Sequence, residues 1–358
     1  MTERRPTGLH VVTAAPLACA AALLMLCSVH AQEPAATYAD LLRTYRSGAF
    51  ESGVKALDAV LTEKDGQRQT HQWIEYSVRL KRQGDLEAAL LICTEAIMVA
   101  WAQDDVYPER SLRTRGDPLR RLHQALKTMD RRSPFLRAWY LLWESFRQTQ
   151  VYLPLPELDY LDEALDAFPN DAQVLLAAGS RQELNWLMSF SNSQRDPLGE
   201  PPAVTRFLVD ARGFLRRSLA ADDTESEARL RLVRVLLALN ELGEAAETFA
   251  GYNWPAAGRG FEYLARLFEG DLHERRGDRA AAAKAYDRAI ALVAVPQAAR
   301  IARAHLAHSE GLRAEAAASV MRALSEPPTE SDPWWWYIRG QAWLFDGYLK
   351  AARAMVRQ

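Results

Sequence analysis

The chain is 358 residues long and carries 44 basic and 46 acidic side chains, a formal charge of −2. A balance so near neutrality gives no electrostatic reason to expect nucleic acid or an anionic membrane surface as partner. Three cysteines exclude a disulfide-stapled scaffold, and with 49% hydrophobic residues the chain can rely on a long packed core instead.

The first element is a targeting segment over residues 1–31. Arg4 and Arg5 supply a short positive region, and an apolar stretch runs from Val11 to Cys27. Val29-His30-Ala31 then places small residues three and one positions before a cut at Gln32. This predicts a periplasmic or secreted mature chain. An uncleaved membrane anchor is the alternative, because the stretch is near the lower length limit for spanning a bilayer. Cleavage leaves a charge of −3 and a single cysteine, Cys93, which sits on a helical stripe as an apolar filler.

The rest of the chain repeats. Gly243, Gly277 and Gly311 stand 34 residues apart, each at a turn between two helical patterns. Ala282, Tyr286 and Ala289 follow Gly277 on one stripe, Ala316, Val320 and Ala323 follow Gly311 alike, and Ala89, Cys93 and Ala96 follow Gly84. The first helix of a unit carries its own stripe: Trp73, Tyr76, Ser77 and Leu80 before Gly84, and Trp336, Arg339, Gly340 and Trp343 before Gly347. Small residues where helices cross and large ones between them let two antiparallel helices nest. Gly48 and the stretch around Gly179 fit more loosely, and residues 104–137 are degenerate. Residues 187–209, including Asp196-Pro197-Leu198-Gly199-Glu200-Pro201-Pro202, read as a polar loop inserted between two helices. The array thus spans residues 32–186 and 210–358, continuous across that loop. Its last unit ends within a second helix, where Lys350, Arg353 and Arg357 suit a solvated end cap.

Over most of residues 37–358 these positions resemble the tetratricopeptide repeat family. The resemblance implies an all-α, right-handed superhelical solenoid of about nine helix-turn-helix repeats around one continuous core. It also implies a concave groove that holds extended peptides or partner segments. Carried over position by position, the groove comprises Trp334, Tyr337, Gln341, Leu344 and Phe345 before Gly347, and Ala298, Ile301, His305, His308 and Ser309 before Gly311. Leu264, Leu267, Asp271, Glu274 and Arg275 join it before Gly277, and His71, Ile74, Val78, Lys81 and Arg82 before Gly84. Leu230, Val233 and Leu237 before Gly243 read as packing.

The run Trp334-Trp335-Trp336-Tyr337 cannot all face one core, since four successive helical residues span most of the circumference at about 100° each. These aromatics either seal the end of the array or contact a ligand. His305 and His308 share a helix face, but Leu306 and Ala307 stand between them where a zinc helix carries its glutamate. With no nucleophile elbow, phosphate-cradling glycine loop or paired-cysteine motif, no catalytic residue, cofactor or metal is assigned. The sequence therefore predicts an exported, non-enzymatic scaffold that binds a protein or peptide segment in its groove. A carbohydrate- or small-ligand-binding module built on the C-terminal aromatics is the alternative, and self-association is open.

Overall fold

The structure, a computed structural model, describes residues 82, 84–92, 94, 126, 129–149, 159–193, 202–325 and 332–356. The targeting segment, Lys81 and residues 104–125 lie outside the described residues. The chain divides into two units, Met1–Ala125 and Leu126–Gln358. In the first, residues 86–92 are helical behind Gly84, whose φ of 88° is left-handed, and Ala89, Leu91 and Ile92 are buried. Arg82 is exposed there.

The second unit is a succession of helices, with no strand among the described residues. They are α1 (Pro134–Thr149), α2 (Leu161–Ala167), α3 (Ala172–Ser193), α4 (Pro202–Ala221), α5 (Ser226–Ala238), α6 (Leu242–Phe249), α7 (Arg259–Arg275), α8 (Arg279–Leu292), α9 (Gln297–Ser309) and α10 (Arg313–Ser325). Helices pack in neighbouring pairs, α3 with α4, α5 with α6, α7 with α8 and α9 with α10, and each pair packs on the next. The all-α array of helical hairpins is therefore present.

The hairpin turns follow from backbone chemistry. Gly277 and Gly311 adopt φ of 79° and 81°, and the residue after each donates its N–H back to the preceding helix, Asp278 to the carbonyl of His273 and Leu312 to that of Ala307, both at 2.9 Å. That bond closes the helix end only when the turn residue is left-handed, which glycine adopts without a Cβ penalty. In the α5–α6 pair the same bond runs from Glu241 to Leu236 at 2.9 Å, and the left-handed residue is Asn240, at φ 59°. Gly243 is not a turn residue; it lies inside α6. The spacing is shifted by three residues because the connector after α6 is longer and carries a 3-10 turn over Trp254–Ala257.

Small residues mark the crossings. A Cβ on Gly270 of α7 would come within 2.2 Å of the Tyr286 ring on α8, and one on Gly179 of α3 within 2.6 Å of Leu215 on α4. Gly179 is thus a mid-helix contact point. Residues 187–193 and 202–209, expected within an inserted loop, are helical: α3 continues to Ser193 and α4 begins at Pro202. Proline is pre-organised for a first helical position, and Leu208, Ala211 and Leu215 are buried.

The last expected hairpin does not form. Residues 333–337 make a short helix, α11 (Pro333–Tyr337), the chain turns at Gly340 (φ 68°), and after a 3-10 turn over Ala342–Leu344 it enters α12 (Phe345–Met355). Gly347 therefore sits inside a helix. Instead of stacking on α10, α11 packs on α7 and α12 on α1. Two readings change as a result. Arg353, expected as a solvated cap, is only 7% exposed, and Val320, expected in a buried stripe, is 36% exposed beside Met321 and Leu324. Its counterpart Tyr286 is 2% exposed because a further hairpin covers α8.

Candidate functional site

The odd-numbered helices from α1 to α9 pack in succession and share a face, and the C-terminal segment from Asp332 to Tyr348 lies along it. Asp332 anchors the segment at one end. Fully buried, it accepts hydrogen bonds from the Tyr263 hydroxyl of α7 (3.0 Å) and the Ala298 N–H in the first turn of α9 (2.8 Å). Its other oxygen caps α11 through the Trp334 N–H at 2.8 Å. A carboxylate at a helix start meets unpaired N–H groups and the positive end of the dipole. Burial and the neighbouring Asp332 carboxylate both push the Tyr263 phenol far above its ordinary range, so it stays a donor.

The aromatic run follows. Trp334 stacks on Tyr337 at 6.0 Å and meets the edge of Phe268 at 6.3 Å, while Trp336 packs edge-on against Phe261 at 5.6 Å. The Trp335 indole N–H donates to Gln297 Oε1 at 3.3 Å. The Arg234 guanidinium of α5 lies over the Trp334 ring at 5.0 Å and over Tyr337 at 5.2 Å. The three indoles are half-buried, whereas Tyr337 is fully enclosed.

Tyr337 meets a buried charge cluster. Its hydroxyl donates to Glu183 Oε1 of α3 at 3.0 Å, and Arg231 of α5 covers its ring at 4.5 Å. Glu183 pairs with Arg231 (2.7 Å) and Arg234 (2.8 Å), and Arg231 also with Glu227 (2.8 Å). Burial opposes the charge on Arg231, but Glu227 and Glu183 more than offset it and hold the guanidinium protonated. Burial, reinforced by Glu183, likewise raises the Tyr337 phenol far above its ordinary range.

Around and beyond the tyrosine, side chains of two helices, α5 and α1, bind main-chain atoms. Arg231 Nη2 donates to the carbonyls of Tyr337 (3.3 Å) and Gly340 (2.8 Å). On α1, the Ser145 hydroxyl donates to the Gln341 carbonyl (2.8 Å) and Gln148 Oε1 accepts the Gln341 N–H (2.5 Å). A Cβ on Gly340 would lie 2.1 Å from that Gln148 oxygen and 3.2 Å from Ser180 Oγ of α3. Only glycine permits both the left-handed turn and this approach. The Gln148 amide is itself held by Glu144 at 2.8 Å. Glu144 pairs with Arg181, which reaches Asp159 at 2.6 Å. Further along, Phe345 packs 6.3 Å from Phe146 and the Tyr348 hydroxyl donates to Gln173 at 3.1 Å.

Trp334, Tyr337, Gln341 and Phe345, expected to line a groove, are thus the segment lying on this face. Asp271, Glu274, Arg275 and His305 sit elsewhere on α7 and α9. Glu274 accepts from the Tyr286 hydroxyl and pairs with His305 Nδ1, both at 3.0 Å, and Asp271 pairs with Arg275 at 2.7 Å. His308 is exposed. Among the described residues no group of His, Cys, Asp and Glu is placed to hold a metal ion. The sequence missed Glu183, Arg231, Arg234, Ser145, Gln148, Tyr263 and Asp332. For Arg234 the cause is the three-residue shift: taking Asn240 as the turn moves an expected position from Leu237 onto it, while Arg231 falls outside the shifted positions.

No family model matches the sequence, and no curated protein matches it. Among solved structures, the crystal structure of the APC/C hetero-tetramer Cut9-Hcn1 is similar at 14% identity, covering 88% of this chain and 71% of that chain with a TM-score of 0.31. At that score the likeness adds nothing to the fold read from the helices themselves. No helix among the described residues is long and apolar enough to cross a membrane.

Proposed function

We propose that the protein is an exported, non-enzymatic interaction scaffold that holds a protein segment on the face formed by its odd-numbered helices. The observation that supports this is main-chain recognition. Ser145, Gln148 and Arg231, from α1 and α5, bind three carbonyls and one N–H of a short segment. Side chains that bind main-chain groups suit a peptide partner, and the adjoining aromatic and arginine anchors suit a binding hot spot. The carbohydrate reading has less support, because Trp334, Trp335 and Trp336 each already make contacts within the chain.

A crosslinking pull-down from envelope extract tests the proposal with the full chain and an Arg234→Glu variant. The scaffold reading expects a partner captured by the parent and lost from the variant, with both showing the same helical circular dichroism. Recovery of no partner, or equal capture by both, contradicts it. Export is tested by N-terminal sequencing of envelope-derived protein, expected to begin at Gln32; a chain retaining Met1 or Thr2 contradicts cleavage.

A further inference from the structure

We infer that this face is a docking site for a partner segment with an acidic–aromatic pattern, Asp-x-aromatic-x-x-Tyr-x-x-Gly, and that residues 332–341 of the chain itself occupy it as an exchangeable internal ligand. The inference rests on the scaffold reading above and adds the chemistry of the segment the scaffold takes.

The pattern comes from four sites along the face. The start of α9 and the Tyr263 hydroxyl receive a carboxylate, filled by Asp332. Phe268 and the Arg234 guanidinium receive a flat ring two residues on, filled by Trp334. Glu183 and Arg231 receive a phenol three residues further, filled by Tyr337. The narrow gap between Gln148 and Ser180 admits a residue without a Cβ after three more, filled by Gly340. Charge complementarity fixes the polarity of the first site, since an unpaired N–H and a hydroxyl donor favour an anion.

Exchange has a structural reason. The segment carries the small-and-large code of a next hairpin, with Trp336, Gly340 and Trp343 placed before Gly347 as Trp73, Ser77 and Leu80 are before Gly84. Such a hairpin would cover α10, whose Val320, Met321 and Leu324 are 36%, 67% and 65% exposed. The sequence therefore encodes a second resting place for the segment, and a partner need only shift the balance between the two.

The test uses the full chain and a fluorescent peptide with the sequence of residues 330–342. An internal ligand competes at high effective concentration, so the parent is expected to bind the peptide weakly. The variant Asp332→Ala/Trp334→Ala, weakened on the internal segment with the face intact, is expected to bind it at least tenfold more tightly. A peptide lacking the aspartate and the tyrosine is expected not to bind. Equal or absent binding by a variant that retains native circular dichroism overturns the inference.

Should the variant fail to fold, hydrogen exchange on the parent decides. Excess peptide is expected to accelerate exchange of the amides from Trp334 to Gly340 at least tenfold, and no acceleration overturns the proposal. Light scattering gives a third outcome: a dimer dissolved by the peptide assigns the face to a second copy of this chain and overturns the foreign-partner inference. Capture that depends on Arg234 but resists competing peptide overturns the motif and leaves the scaffold reading standing. Peptide binding without any captured protein supports the motif and contradicts the scaffold reading.

Discussion

At Gly270 the α7–α8 crossing leaves no room for a methyl group, since an added Cβ would lie 2.2 Å from the Tyr286 ring. Gly270→Ala is expected to destabilise the second unit by about 1–3 kcal/mol, because a packed core answers overfilling with strain. Gly213, exposed within α4, is the control: an added Cβ meets nothing within 4 Å. Gly213→Ala is expected to stabilise by about 0.5–1 kcal/mol through helix propensity. Urea unfolding of both variants checks the pair, and equal shifts of one sign contradict it. Asp171 supplies a pH-dependent counterpart. Burial works to raise its carboxyl, but the hydrogen bonds and charge of Arg137 and the N–H groups of Val174 and Gln173 outweigh burial and hold it below its usual value. A depressed carboxyl stabilises the fold above its unfolded pKa, and the contribution is lost as pH falls through the folded value. Asp171→Asn is therefore expected to cost about 1–2 kcal/mol near pH 7. The gap should close as pH falls below the ordinary aspartate range, measured by urea melts from pH 7 to pH 3; a gap independent of pH contradicts the assignment.

Elements are where the sequence was most and least readable. The hairpins at Gly277 and Gly311 could be read because one residue type does one physical job, a left-handed turn, at a fixed interval from Ala282, Tyr286 and Ala316. The α5–α6 hairpin was misplaced because Asn240 does that job at φ 59°, while Gly243 happened to fall at the 34-residue interval. Asn240→Gly is expected to leave stability unchanged or raise it slightly, and Asn240→Val to lower it by about 1–2 kcal/mol, since a β-branched residue resists positive φ. Thermal unfolding checks this, and a silent valine variant contradicts the turn assignment. The α11–α12 segment was misread for a different reason. Its residues satisfy the repeat code, but Asp332, Tyr337 and Gly340 find buried partners on five earlier helices, and no local pattern reveals long-range partners. The partners themselves, Glu183 and Arg231, could not be read as a pair because 48 residues separate them. Arg231→Met is expected to cost about 3–5 kcal/mol, leaving Glu183 and Glu227 buried with less compensation. It should also loosen the C-terminal segment more than α9–α10.

As a whole the molecule is an array that binds part of itself. In the inference drawn above, residues 332–341 occupy the face of helices α1 to α9 and leave it as a unit more readily than the array unfolds. Such sub-global opening has its own free energy, below that of the core. Native-state hydrogen exchange of the full chain measures it directly. The amides of Trp335, Tyr337 and Gln341 are expected to be protected together, at a lower opening free energy than those of Leu232 to Leu236 in α5. Exchange of these amides at the rate of a free peptide would show that the segment does not occupy the face, and protection equal to that of α5 would show that it never leaves.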